Sequence, residues 1–378
     1  MRYRWDIFCK VIDNFGDAGV CWRLARQLVT DFHQEVRLWI DDLDTLGYLT
    51  SRLNRNLLYQ EVQGVTICHW QAVQAEVVCA DIVIEAFACD LPDFYITAML
   101  QNKKQPVWIN LEYLSAEPWV ARYHLLPSPH PRLPLIKFFF FPGFVKGTGG
   151  LLRERTLKVR QYEFDKTAKQ AFIKRSGLLE RESGSLWISL FCYETAPLEK
   201  LIHVLSESPR STLLIVPEGN IANRILVILK DASALTAKLI VHKRLSIQII
   251  PFLEQADYDH LLWCCDINFV RGEDSFVRAQ WAAKLFVWNI YRQQERAHLK
   301  KMDAFLELYT ASMPVPMAIA VKEMWSCWNG RGELHAEAWM NFLAFRESLM
   351  QHNEDWINQL MAQEDLGANL VQFVENRL

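Results

Sequence analysis

No stretch of about 18 uncharged apolar residues occurs in this chain, which argues against a helical membrane span. The opening residues, MRYRWDIFCKVIDNFGD, carry Asp6 and Lys10 where a secretory signal needs an unbroken apolar run, so a cytoplasmic protein is expected. There is no C-x-x-C pair, and the nine cysteines are odd in number. A disulfide framework and a cysteine zinc site are therefore poor readings. Most of these cysteines lie inside apolar runs, as reduced core thiols do. The ten histidines show no H-E-x-x-H or related spacing, and no metal is expected. Neither sign of charge is in real excess, with 41 basic against 44 acidic residues. That argues against a protein that coats nucleic acid through a broad basic face.

What remains is an ordinary globular composition. At 378 residues, with 51% apolar and 22% charged, the chain is long enough for two or three domains with large cores. Its 14 tryptophans are scattered and read as core. Along the first third, short apolar runs alternate with helical patterns. Residues 5–11 (WDIFCKV) read as a buried strand, 12–19 (IDNFGDAG) as a loop and 20–32 as a helix, with Val20, Leu24, Leu28 and Phe32 on one face. Residues 36–40, 81–85 (DIVIE) and 106–110 (PVWIN) read as further buried strands. This βαβ rhythm predicts a parallel sheet covered by helices. The Pro- and Gly-dense segment 127–150 breaks it, which places the end of a first domain, 1–150, near residue 150.

A charged connecting segment, 151–182, precedes a second α/β domain over 183–354. Its predicted strands are 186–191 (LWISLF), 212–216 (TLLIV), 246–252 (SIQIIPF), 266–270 (DINFV) and 285–288 (LFVW). The C-terminal stretch 355–378 is helical in pattern and is assigned to the completion of the first domain. Ligands of such sheets bind beyond the carboxyl ends of the strands, so the strand-to-helix loops are the places to look.

The first such loop holds Asp13, Gly16, Asp17 and Gly19. It is not G-x-G-x-x-G, and its carboxylates would repel a pyrophosphate, so a nicotinamide or flavin site is a poor reading. Gly16 and Gly19 permit a tight turn and close approach of a ligand to the backbone. Two readings fit the aspartates. They cap the turn and the helix, or they serve a cationic ligand and general-base chemistry. In the second domain, 271–275 (RGEDS) opens a helix that Ser275 or Asp274 is placed to cap. Arg271 beside a helix N-terminus suits a diphosphate, and Glu273 could accept from a sugar hydroxyl. The alternative is an acidic first turn with Arg271 as its ion-pair partner. Phe191 and Tyr193 (FCYE), Phe252 and Gln255 (FLEQ), and Tyr291 (NIYRQQE) follow other strands. They read either as base-stacking and edge-reading groups or as core.

Together, WDIFCKVIDNFGDAGVCWRLARQL and FVRGEDSFVRAQWA strongly resemble the protein-arginine rhamnosyltransferases that act on translation elongation factor P, the EarP family. The resemblance runs from the first strand to beyond NIYRQQE. It implies a GT-B glycosyltransferase: two Rossmann-like domains facing each other across a cleft. It also implies inverting transfer of rhamnose from dTDP-β-L-rhamnose to an arginine of elongation factor P, with no metal and no cofactor; the charge balance and the absence of an apolar span leave no nucleic acid or membrane partner expected. By motif, Asp13, Asp17 and Glu273 become the catalytic set. Gly16, Gly19, Phe191, Tyr193, Phe252, Gln255, Arg271, Asp274, Ser275 and Tyr291 become the donor-binding set. The alternatives are another GT-B nucleotide-sugar enzyme with a different donor or acceptor, or a non-catalytic protein that binds a translation factor.

Overall fold

The computed structural model describes residues 1–13, 15–72, 77–229 and 238–378. It contains two compact units. One comprises Met1–Leu157 with Leu360–Leu378, and the other Lys158–Gln359. Each is built on its own sheet.

In the first unit the strands are β1 (Arg4–Cys9), β2 (Glu35–Ile40), β3 (Tyr59–Val62), β4 (Val65–His69), β5 (Ile82–Ala86), β6 (Val107–Leu111), β7 (Pro127–Pro129) and β8 (Ile136–Phe140). Their spatial order is β3-β4-β2-β1-β5-β6-β8-β7. The six inner strands run parallel, as the βαβ rhythm predicts, and Trp5, Ile7, Phe8, Val83 and Ile84 are fully buried among them. Both edges depart from that expectation, because each ends in an antiparallel hairpin, β3–β4 and β7–β8. The first hairpin turns on Gln63 and Gly64, both at positive φ (52° and 77°), which matches the right-handed twist of its strands. The second lies inside the Pro- and Gly-dense segment, which extends the sheet shortly before the first stretch of this unit ends at Leu157.

Three further corrections concern boundaries. The first helix is Phe15–Phe32, so it starts inside the expected loop and takes in Gly16, Asp17 and Gly19. The expected connecting segment is divided: residues 151–157 belong to the first unit and 158–182 to the second. Burial explains the division. Leu151, Leu152 and Leu157 are buried, and the helix Lys166–Arg175 sends Phe172 into a cluster with Trp187, Ile215 and Leu261. The C-terminal stretch is two helices, Arg346–Met361 and Leu366–Glu375, and only the second lies wholly in the first unit.

Asp365 starts that last helix by accepting the Ala368 N–H (3.0 Å), and it also accepts from Gln27 Nε2 (2.9 Å) on the first helix. Asp365→Ala removes the cap and a buried acceptor. We expect a loss of about 1–2 kcal/mol, seen as a melting temperature a few degrees lower.

The second unit carries β9 (Leu186–Leu190), β10 (Thr212–Pro217), β11 (Leu239–His242), β12 (Leu245–Ile250), β13 (Ile267–Arg271) and β14 (Leu285–Asn289) in the order β11-β12-β10-β9-β13-β14. All pairs are parallel except the β11–β12 hairpin at one edge. In both sheets the first strand of the unit, β1 or β9, has its successor on one side and a later strand on the other. That reversal opens a crevice at the carboxyl ends of β1 and β5, and of β9 and β13. No helix among the described residues is long and apolar enough to cross a membrane. All nine cysteines are buried and outside any disulfide.

Candidate active site

In the first unit the crevice is built by the segments after β1, β5 and β6. Asp17 is almost wholly buried at the head of the first helix. Its Oδ2 accepts the backbone N–H groups of Ile12 (2.9 Å) and Asp13 (2.8 Å). A carboxylate in the first turn thus reaches back to orphan donors, and this draws the helix start forward into the expected loop. Burial pushes the Asp17 carboxyl above the usual range, and the two N–H groups and the Tyr113 hydroxyl oppose it. Tyr113 Oη lies 3.4 Å from the other oxygen, Oδ1.

Asp13 is half-buried and stands over the same turn. A Cβ on Gly16 would sit 2.6 Å from Asp13 Oδ2, so glycine admits this close approach without displacing the Asp13 carboxylate. Gly19 is buried one turn further along the helix. Asn14, between Asp13 and Phe15, lies outside the described residues.

The segment after β5 is unusual. Phe87, Ala88 and Asp90 all have left-handed φ (57°, 52° and 52°), a conformation that costs a non-glycine residue about 1 kcal/mol or more. Phe87 N–H donates to the Leu111 carbonyl (2.7 Å), and Ala88 N–H to Asn110 Oδ1 (3.2 Å). The Phe87 ring lies flat on Tyr113, with centroids 4.4 Å apart.

The second unit gathers its candidates at the ends of β9, β12, β13 and β14. The Arg271 guanidinium lies over the rings of Phe191 (4.5 Å) and Tyr193 (4.7 Å). Phe252 packs edge-on to Phe191, and Tyr291 edge-on to Tyr193. Tyr291 is about half exposed at 46%. Gln255 Nε2 donates to Asp274 (3.1 Å). The expected capping is corrected here. The helix is Asp274–Trp281, and Glu273 holds the N-cap position without a side-chain cap bond. Ser275 lies in the first turn, where its hydroxyl donates to the Arg271 carbonyl. Glu273 pairs with Lys301 (3.0 Å), which stands on a different helix.

Four supporting residues escaped the sequence reading. Asp259 and Arg278 form a bidentate pair (2.9 and 2.7 Å), both fully buried, between the helices that carry Gln255 and Asp274. Asn289 Oδ1 accepts the Tyr193 N–H (2.8 Å) and so fixes the loop after β9. Tyr113 is the fourth. It stands three residues beyond the predicted buried strand 106–110, so the strand-end rule that found Tyr193 could have found it as well. Trp288 Nε1 donates to the carbonyl of Gly272, whose positive φ of 61° turns the chain from β13 into the helix. Among the described residues, no group of three or more His, Cys, Asp or Glu could hold a metal ion.

Two Rossmann-like units, each with its polar residues at the strand-order reversal, define a GT-B glycosyltransferase. A glycosyltransferase from Rickettsia africae has this fold, with a TM-score of 0.53 over 99% of this chain and 97% of that one at 10% identity. The chain belongs to the EarP family, described as elongation factor P (EF-P) rhamnosyltransferase, whose family model matches residues 5–375. It is 43% identical to the protein-arginine rhamnosyltransferase of Pseudomonas aeruginosa over 371 residues, which cover 98% of each chain. A solved structure that gives the basis for EarP-mediated arginine glycosylation of translation elongation factor EF-P is also similar. It has a TM-score of 0.71 and 32% identity, with full coverage of both chains.

Proposed function

We propose that this protein transfers L-rhamnose from dTDP-β-L-rhamnose, with inversion, to an arginine side chain of translation elongation factor P in the cytoplasm. The observation that carries this reading is the Asp13–Asp17 pair at the head of the first helix, where a dinucleotide enzyme would keep a phosphate cradle. An arginine acceptor is a demanding nucleophile. Full deprotonation of a guanidinium at pH 7 costs about 9 kcal/mol, given a pKa near 13.8 and 1.36 kcal/mol per unit. Two carboxylates address that cost. Asp13 orients the guanidinium fork, and Asp17 takes a proton from the attacking Nη as its lone pair bonds to the sugar C1. The C1–O bond to the diphosphate breaks on the opposite face, and dTDP leaves with the electron pair.

Arg271 and the helix N-terminus at Asp274 and Ser275 stabilise the leaving diphosphate, which makes a metal unnecessary. Phe191, Tyr193, Phe252 and Tyr291 offer aromatic faces to the nucleoside, and Gln255 its polar edge. Glu273, beside Lys301, positions the sugar or the acceptor. Gly16 and Gly19 keep the head of the first helix open to close approach.

Intact-mass analysis of elongation factor P after incubation with the protein and dTDP-rhamnose tests the reading. One deoxyhexose on an arginine is expected, and an unmodified factor would refute it.

A further inference from the structure

The proposed chemistry uses Asp17 but leaves the aromatic wall beside it without a role. That wall is supported from three neighbouring strands. The Tyr113 hydroxyl, just beyond β6, reaches Asp17 Oδ1 at 3.4 Å, while Oδ2 is held by two backbone N–H groups after β1. Phe87, just beyond β5, backs the Tyr113 ring face to face. Three left-handed residues within four positions bring Phe87 there, and Asn110, itself buried, anchors the turn through the Ala88 N–H. Strained backbone of this kind persists only where surrounding contacts over-determine it, and it concentrates at functional sites.

We infer that Tyr113 is a positioning residue for the acceptor step, holding Oδ1 of the Asp17 carboxylate in the orientation that receives the guanidinium proton. This rests on the reading of Asp17 as the base. The hydroxyl donates to Oδ1 and keeps its own proton throughout; the transferred proton passes only from Nη to Asp17. Held at both oxygens, the carboxylate meets the acceptor without reorganising first. A hydrogen bond donated to a carboxylate also favours its charged form. Burial and the Tyr113 hydroxyl therefore pull the Asp17 carboxyl in opposite directions.

Tyr113→Phe keeps the ring against Phe87 and removes only the hydroxyl. We expect kcat for transfer to elongation factor P to fall about 10-fold with the KM for dTDP-rhamnose unchanged. The acid limb of the kcat/KM profile should move to higher pH, a change that a merely structural role would not produce. Tyr113→Leu, which also removes the stack, should lose more, and melting curves of both variants separate folding from catalysis. Wild-type kcat with an unmoved acid limb in Tyr113→Phe would overturn the inference. So would a loss of donor affinity equal to the loss of kcat/KM. A wild-type enzyme that transfers no rhamnose would instead refute the functional reading on which the inference stands.

Discussion

Asp17→Asn should reduce rhamnose transfer about 10³-fold while leaving dTDP affinity unchanged. The amide matches the carboxylate in shape, and its oxygen can still accept the Ile12 and Asp13 N–H groups that set the start of the first helix. The local fold is therefore retained, and only the capacity to take a proton is lost. The wild-type pH profile supplies the sign. Asp17 acts as a base only when ionised, and burial raises its pKa, so activity must fall as pH drops towards a value above the ordinary aspartate pKa of about 3.9. In Asp17→Asn that limb should be absent from whatever activity remains. Single-turnover kinetics on elongation factor P, with dTDP binding measured in parallel, checks both points. Retained turnover in the variant would sink the base assignment. Asp13→Asn should be milder, because an amide oxygen still accepts from a guanidinium.

The positions of the site loops could be read from the sequence because the central strands are buried on both faces. WDIFC, DIVIE, PVWIN, LWISL and DINFV are apolar runs that only an interior parallel strand uses well, and their ends locate the crevices. The edge hairpins were not legible. β3 reads YQEV, largely solvated along its length, and such a pattern resembles a loop. The start of the first helix was hidden for a different reason. Gly16 and Gly19 are poor helix formers, and their place in the helix follows from Asp17 reaching back to two N–H groups and from Asp13 pressing on Gly16. Periodicity carries no information about either contact. Tyr113 with Asp17, 96 residues apart, is a tertiary pairing of the same kind. So are Asn289 with Tyr193 and Lys301 with Glu273. The FVRAQ segment shows how a motif can mark a site without touching it. Arg278 is buried against Asp259, which leaves Arg271 as the cation of that motif at the strand end.

Arg271→Ala should weaken dTDP binding by about 2–3 kcal/mol, roughly 30–150-fold, as expected for losing charge-assisted hydrogen bonds to a diphosphate. Arg271 is the last residue of β13, and its guanidinium is held across the rings of Phe191 and Tyr193. Little side-chain entropy remains to be lost on binding, so the contact should count nearly in full. Arg271→Lys should recover only part of the affinity, because an ammonium has neither the planar fork nor the stacking face. Isothermal titration with dTDP compares the three proteins, and an unchanged affinity in Arg271→Ala would refute the phosphate role. Turnover should fall further than binding does. Negative charge grows on the diphosphate as the C1–O bond breaks, and a cation that stabilises that charge contributes more in the transition state than in the bound donor.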